Sequence, residues 1–356
     1  MSGASIVLLD EDGVEVHLHP AVPEWAVDLH VLRAHAYANP PMRSLVITVT
    51  DRCNLRCDFC CHPHLESEIA EEDCERLTRE ACELDFVEVW LSGGEPFLRY
   101  PLILKLAAIC RERGRMLGVQ TSGYWARTEA RARAMAREMI EAGVFCVTFS
   151  WDPSHGEVVS RETVEQGIDA CVEAGLHVRL RGNFERPGET HADHGFDLSR
   201  WDRFATFSVR AGLAEAAGRG AGLVQLRRSS TGAGAPSVLG ERCPGHAELE
   251  HVVYARDGLT MPCCSVWAGY DTPALGLGDW RARPLSESVA VHDHDPYFRL
   301  VADAGFEALY ARIHARDPEV ASRLVDPRAV GNACELCARL MKSPDAARIR
   351  ALCAAE

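Results

Sequence analysis

No run of apolar residues in this 356-residue chain approaches the roughly twenty that a membrane-spanning helix needs. The opening residues Met1-Ser2-Gly3-Ala4-Ser5 lack the basic-then-apolar order of an export signal. Positive charge is short as well, with 38 Lys and Arg against 52 Asp and Glu, a formal balance of −14. Phosphate binding depends on clustered cations, so a nucleic-acid surface is excluded along with a membrane one. The expectation is a cytoplasmic protein of ordinary globular composition, one large domain with a smaller one attached. A disulfide framework goes with export, so the 15 cysteines need another explanation. Cys74, Cys82, Cys110, Cys146, Cys171 and Cys353 fall in helical or apolar settings, where cysteine packs as a small hydrophobe. Most of the others form two sets whose spacing suits metal chemistry.

The first set is Cys53, Cys57 and Cys60, spaced C-x3-C-x2-C just after the apolar run 44–49, with Phe59 before the third cysteine. Three soft thiolates on one short loop can hold three irons of a cubane [4Fe–4S] cluster. The fourth iron is then open to a small molecule. A zinc knuckle is the alternative that these residues leave open.

Residues 1–42 read as a hairpin, 5–9 and 14–18 about an Asp10-Glu11-Asp12-Gly13 turn, then a helix over 21–37 and a boundary at Pro40-Pro41. This segment is too short for an independent peptide-binding winged-helix domain. From residue 43 strands and helices alternate. Strands are expected at 45–49, 86–91, 117–121, 145–150 and 178–184, and helices at 69–83, 101–112, 127–142 and 160–174. Repeated β/α units mean a parallel sheet, either open and doubly wound or a barrel, with function gathered at the C-terminal strand ends.

The polar motifs fall at those ends. The second strand ends in Leu91-Ser92-Gly93-Gly94-Glu95-Pro96, where two glycines allow a ligand close to the backbone and Glu95 offers a carboxylate. Ser122, Ser150, Asp152 and Arg181 follow at the next three ends. Residues 185–240 are the least readable: His191 and His194 have metal-like spacing but suit a solvated loop, and 212–240, with its 229–236 stretch, suits a flexible link.

The second cysteine set runs Cys243-x14-Gly258-x4-Cys263, then Cys334-x2-Cys337. Strands at 249–254 and 259–261 about Asp257-Gly258 make a hairpin with a cysteine at its end. Four cysteines from a hairpin and a distant CxxC can close a complete site for either zinc or a [4Fe–4S] cluster.

Together these motifs resemble the radical S-adenosylmethionine (SAM) superfamily: C-x3-C-x2-C, a GGEP strand end, and the cysteine order of the twitch domain, a shortened relative of SPASM. The resemblance covers about residues 43–342. It implies an α/β fold with a partial (β/α)6 TIM-type barrel and a small C-terminal twitch domain of hairpin plus helix. The implied division is 1–42 extension, 43–240 barrel, 241–342 auxiliary domain and 343–356 tail or helix. It further implies SAM and two [4Fe–4S] clusters, one on Cys53, Cys57 and Cys60, the other on Cys243, Cys263, Cys334 and Cys337. No cysteine follows Cys337 up to Ser343, so one auxiliary cluster is expected, not two. Phe59, Gly93, Gly94, Glu95 and Pro96 would bind the cofactor, Glu95 through the methionyl amino group; Ser122, Ser150 and Arg181 would meet the SAM ribose and carboxylate, and Asp152 the substrate. Cys61 and Cys264 each double a ligand; Cys264 is either the true ligand or a hydrogen-atom donor. His62 and His64 either bond the sulfurs or only fill the loop.

The implied activity is reductive cleavage of SAM to a 5′-deoxyadenosyl radical that takes a hydrogen from a substrate. That substrate is a ribosomally made peptide, to be oxidised, cross-linked or epimerised, or else a small molecule such as an aminocyclitol or sugar alcohol. A flavodoxin or ferredoxin reductant and a separate leader-peptide-binding protein are the expected partners. The alternative without catalysis is a zinc- or iron–sulfur-bearing binding protein, which leaves the GGEP end unexplained.

Overall fold

The computed structural model describes residues 6–9, 15–38, 42–62, 64–213, 238–243, 250–254, 258–265 and 272–354. The expected turn at Asp10–Gly13, the Pro40-Pro41 boundary, Asp257 and the 229–236 link lie outside them. Strands β1 (Ile6–Leu9) and β2 (Glu15–Leu18) pair as an antiparallel hairpin, and helix α1 (Glu24–Ala38) follows. Six parallel strands come next in spatial and chain order: β3 (Ser44–Thr50), β4 (Glu88–Gly93), β5 (Met116–Thr121), β6 (Val144–Ser150), β7 (His177–Phe184) and β8 (Phe207–Leu213). Helices α2 (Glu71–Glu83), α3 (Tyr100–Glu112), α4 (Glu129–Ala142) and α6 (Arg161–Glu173) cross between the first five, with the single turn α5 (Pro153–Gly156) before α6. Each of the first five strands, β3 to β7, buries Val, Ile, Leu or Phe at alternate positions against these helices: Leu45 and Ile47, Val89 and Leu91, Leu117 and Val119, Val147 and Phe149, Val178 and Leu180. This is the partial (β/α)6 barrel.

Two departures concern what was illegible. The region 185–240 contains the sixth strand, β8, and not only a link. Its residues Phe-Ser-Val-Arg-Ala-Gly-Leu mix Gly, Ala and Arg into an edge strand exposed on both faces, so no clean alternation marks it. His191 is fully buried rather than solvated, its ring Nε2 3.1 Å from the Trp151 carbonyl, while His194 pairs with Glu189 at 2.9 Å.

The C-terminal hairpin does not stand apart. Strand β9 (Glu250–Tyr254) adds to the free side of β3 in parallel, and β10 (Leu259–Met261) and β11 (Gly278–Asp279) continue antiparallel, so one nine-stranded sheet runs from β11 to β8. Between the hairpin and the CxxC lie the helices Leu285–His294, Pro296–Asp303 and Gly305–Arg316, more than the hairpin plus helix expected. A helix at Ala346–Ala354 ends the described chain. The Arg76 guanidinium donates to the Trp280 carbonyl at 3.0 Å and the Leu285 N–H to Glu80 at 2.7 Å, fastening this part to α2. Among the described residues no helix is long and apolar enough to cross a membrane.

Register partners on neighbouring parallel strands share a face, so the barrel lumen is lined in layers. One layer reads Val252, Val46, Trp90, Gly118, Cys146, His177. A Cβ at Gly118 would stand 2.3 Å from the Trp90 ring, so glycine lets that indole lie across the lumen. Above it, toward the C-terminal ends, Thr48, Gln120, Thr148, Arg179 and Ser208 make a polar layer. Helix α1 closes the opposite mouth: Arg33 pairs with Glu88 at 3.2 Å, and Trp90 Nε1 donates to Glu88 at 2.8 Å.

At that closed end His30 packs on Phe145 with ring centroids 4.7 Å apart, and His177 stacks on Phe145 at 5.9 Å. Among the described residues neither ring nitrogen of His177 has a hydrogen-bond partner. Burial, with Arg33, His30 and Arg179 nearby, holds His177 far below the usual histidine range, and burial with Arg33 brings His30 to about 4. Folded, both bind a proton less readily than unfolded, where histidine titrates near 6.5, so their stabilising contribution is complete above that pH and is lost as pH falls below it, for His30 through about 4. Each proton contributes a slope of up to about 1.4 kcal/mol per pH unit. His177→Phe should therefore flatten the acid side of the urea-midpoint profile. An unchanged slope would show that this cluster does not set acid stability.

Candidate active site

Strand β3 ends at Thr50, and the chain then loops through Cys53, Cys57 and Cys60 before returning to α2. The neck is closed by Asp51 N–H to the Ser67 carbonyl, 2.8 Å, and Ile69 N–H to the Val49 carbonyl, 3.2 Å. The loop lies directly on the end of β4. Gly94 N–H donates to the Thr50 carbonyl and Glu95 N–H to the Arg52 carbonyl, both at 2.8 Å. A Cβ on Gly93 would stand 2.2 Å from the Thr50 oxygen, and one on Gly94 1.9 Å from the Arg52 oxygen; Gly93 also has φ +127°. The two glycines therefore admit the cysteine loop's own backbone, where the sequence pointed to a ligand.

Glu95 is fully buried and its carboxylate is filled from within. Oε1 accepts from Phe97 N–H (3.1 Å) and the Thr121 hydroxyl (3.0 Å); Oε2 accepts from Ser122 N–H (2.8 Å) and the Ser122 hydroxyl (2.7 Å). Burial pushes this carboxyl upward, and the four donors oppose the rise by favouring the anion. Glu95 and Ser122, expected as separate cofactor contacts, are thus bonded to each other and tie the ends of β4 and β5.

From the far side, the turn α5 holds the loop. The Asp58 N–H donates to Ser154 Oγ at 2.9 Å, and the His155 ring bonds the Cys57 thiol. Asp152 caps this turn: Oδ1 accepts from His155 N–H (3.1 Å) and lies 2.9 Å from His155 Nδ1, while Oδ2 accepts from Asn183 N–H at 3.2 Å. Burial disfavours the charged ring, but the hydrogen bonds to Asp152 and Cys57 outweigh it and lift His155 to about 10. Asp152, expected to face substrate, instead orients His155. Ser154 and His155 were missed in the sequence, because only the fold brings them to the cysteines.

Cys53, Cys57, Cys60, Phe59, Gly93, Gly94, Glu95, Pro96, Ser122, Ser150, Asp152 and Arg181 all line one cavity of about 240 Å³, joined by Cys61, His64, Gln120 and Asn183. Among the described residues no three or more His, Cys, Asp or Glu side chains converge on a single metal ion, at this loop or at the second cysteine set. A cubane gives each thiolate its own iron and asks them to stand apart. The Leu55 N–H points at Cys53 Sγ and the His62 N–H at Cys60 Sγ, both at 3.4 Å, contacts that favour thiolate ligands. The His62 ring turns away to Asp51, with Nε2 2.9 Å from Oδ1. Burial raises the Cys53 thiol to about 11, the Leu55 N–H opposes this, and Glu95, Cys60 and Cys57 add to it, so metal loading would displace protons here. The donor set fits a cluster held at three corners.

The second cysteine set is also gathered. Cys243 and Cys334 lie within electrostatic reach of Cys337, and Cys243 and Cys337 within reach of Cys263. Cys243 N–H donates to the Val301 carbonyl at 3.1 Å, and Cys334 opens the helix Ala333–Lys342, whose N-terminal dipole favours a thiolate. Tyr297, wholly buried, sets its hydroxyl 3.2 Å from Cys337 Sγ. Burial first, then Cys243, pushes Cys337 up to about 12, while Tyr297 and Arg350 oppose the rise. Cys263 is turned in among these groups; Cys264 is exposed and does not line the cavity at Glu95. The six cysteines set aside as hydrophobes are all buried.

Replacing Gly94 by Ala should cost more than about 2 kcal/mol, since the Arg52 carbonyl fills the space, whereas Gly240→Ala, with open space around it, should stay within about 0.5 kcal/mol. Equal thermal midpoints for the two variants would contradict the docking of the loop.

Residues 47–193 match the radical SAM superfamily. GTP 3′,8-cyclase of Parasynechococcus marenigrum (strain WH8102) is 34% identical over 128 residues, 34% of this chain and 37% of that protein. The putative peptide biosynthesis protein YydG of Bacillus subtilis (strain 168) is 23% identical over 131 residues, 36% of this chain and 41% of that one. The chain spans less than half the length of the curated relatives it matches. The structure of native anSMEcpe with bound AdoMet and Cp18Cys peptide shares the fold, with TM-score 0.51, 14% identity, and coverage of 88% of this chain and 99% of that one.

Proposed function

We propose, from the radical SAM domain that residues 47–193 form, that this chain is a radical SAM enzyme acting on a ribosomally made peptide in natural-product biosynthesis. One observation carries the reading: a single cavity sets three thiols of one loop against the polar strand ends at Gly93-Gly94, Ser150 and Arg181. Cys53, Cys57 and Cys60 hold the [4Fe–4S] cluster. When bound beside SAM, that cluster supplies the electron that cleaves the sulfonium to methionine and a 5′-deoxyadenosyl radical, which takes a hydrogen atom from the substrate.

The chain's own residues orient the cofactor and exclude water. Arg181 pairs with the methionyl carboxylate, and its exposed guanidinium has no partner among the described residues to compete. The Ser150 hydroxyl serves the ribose. The Glu95 carboxylate is already occupied by four donors, so its part is to hold the mouth of β4 and β5 in place while the Gly93-Gly94 backbone faces the methionyl ammonium. Phe59 packs at 5.6 Å on His155 and shields the loop from the solvent side.

Cys243, Cys263, Cys334 and Cys337 would hold an auxiliary [4Fe–4S] cluster, whose chemistry there would be to take up the electron that a substrate radical gives up on becoming the oxidised product. The name of the Bacillus relative supports a peptide substrate. A small-molecule substrate, such as an aminocyclitol or sugar alcohol, is the second reading, supported by the GTP 3′,8-cyclases, whose similarity covers about a third of this chain. The proposal includes a flavodoxin or ferredoxin reductant, a separate leader-binding protein and a cytoplasmic location.

Cys57→Ala should abolish deoxyadenosine formation from SAM while leaving about four irons per chain on the auxiliary site. Continued deoxyadenosine formation would refute the assignment. Cys334→Ala should keep SAM cleavage but block net product formation, and undiminished turnover would rule out electron acceptance at the second site.

A further inference from the structure

The arginines that face the barrel lumen above Trp90 are confined to its last two strands: Arg179 and Arg181 on β7, and Arg210 on β8. Arg179 lies over the Trp90 ring at 4.7 Å. Arg181 and Arg210 are register partners, so both leave the sheet on the same face, on strands about 4.8 Å apart. Both are exposed, and neither guanidinium has a hydrogen-bond or ion-pair partner among the described residues. Like charges directly abreast in a sheet repel. Among the described residues nothing at this mouth offsets them: Glu95 is filled by Phe97, Thr121 and Ser122, and Asp152 by His155 and Asn183. A chain with a net charge of −14 thus keeps an unneutralised pair of cations beside its reaction cavity.

We propose that Arg210 receives a carboxylate of the substrate: in a peptide, an Asp or Glu side chain close to the residue that is modified. With Arg181 assigned to the SAM carboxylate, the two anions sit side by side on neighbouring strands and bring the substrate to the cofactor. This rests on the function proposed above and narrows its substrate. A guanidinium meets a carboxylate through two parallel charge-assisted hydrogen bonds. A carboxylate is favoured over a phosphate because the substrate proposed above is a peptide, whose own side-chain anions are carboxylates.

The test uses iron-loaded enzyme with SAM bound. End-blocked tetraglutamate and tetraglutamine peptides are titrated by calorimetry, with tripolyphosphate as a third probe. Tetraglutamate should bind, more weakly as salt rises, and tetraglutamine should not. Arg210→Gln should weaken tetraglutamate binding by about tenfold or more at unchanged iron content, and Arg210→Lys should recover much of it. Equal binding of the two peptides, or an Arg210→Gln variant that binds like the wild type, would overturn the proposal. Tighter binding of tripolyphosphate that depends on Arg210 would overturn the carboxylate in favour of a phosphate. Deoxyadenosine formation by the wild type is followed in parallel: its absence would sink the function reading itself, whereas its presence with charge-blind binding would sink only the anion site.

Discussion

The site depends on one close approach, that of the backbone at Thr50–Arg52 to Gly93-Gly94. Two N–H···O bonds of 2.8 Å join them, and no side chain fits between. Glycine at two successive positions costs chain entropy of about 1 kcal/mol each, so the contact has to return more than it costs. It fixes the direction in which the cysteine loop leaves β3, and with it where Cys53, Cys57 and Cys60 stand. The same strand end then drives Glu95 inward, where four donors join β4 to β5. A loop that reads as a flexible metal binder is thereby clamped on both sides, by β4 below and by Ser154 and His155 opposite.

The lumen is graded along its axis. Helix α1 and the Trp90 layer close one end with packed rings, and polar side chains increase toward the cysteine loop. The cavity at the mouth therefore has a polar layer beneath it and packed rings closing the far end, which keeps bulk water from entering from behind. The second cysteine set is supported differently. Cys243 and Cys263 flank a hairpin on the β3 edge, Cys334 and Cys337 lie at a helix N-terminus, and the Tyr297 hydroxyl is 3.2 Å from the Cys337 sulfur in a wholly buried setting. Such a closed environment suits an electron carrier better than a site that must bind substrate.

Much of this was legible in the sequence. Strands β3 to β7 and helices α2, α3, α4 and α6 carry strong apolar alternation or helical periodicity and fall within a few residues of where that pattern puts them. The cavity residues were legible because they sit at strand ends, a position that the β/α repeat itself defines. What stayed hidden depends on distant partners. The strand β8 lacks alternation because its faces are exposed, and the helices from Leu285 to Arg316 carry no chemistry to mark them. The Gly93-Gly94 pair lines the cavity and also admits the cysteine-loop backbone at Thr50 and Arg52, a neighbour far earlier in the chain that the sequence did not reveal, and His155 could not be linked to Cys57 until the turn after β6 was seen to face the loop. Cys263 and Cys264 are adjacent in sequence and separable only by which one turns inward.

The most direct test of two clusters, one open to SAM and one closed, is the iron content of anaerobically reconstituted protein together with EPR of its reduced form, with and without SAM. The account predicts about eight irons per chain and two [4Fe–4S] signals, of which SAM perturbs one. About four irons, or a pair of signals that both ignore SAM, would contradict it.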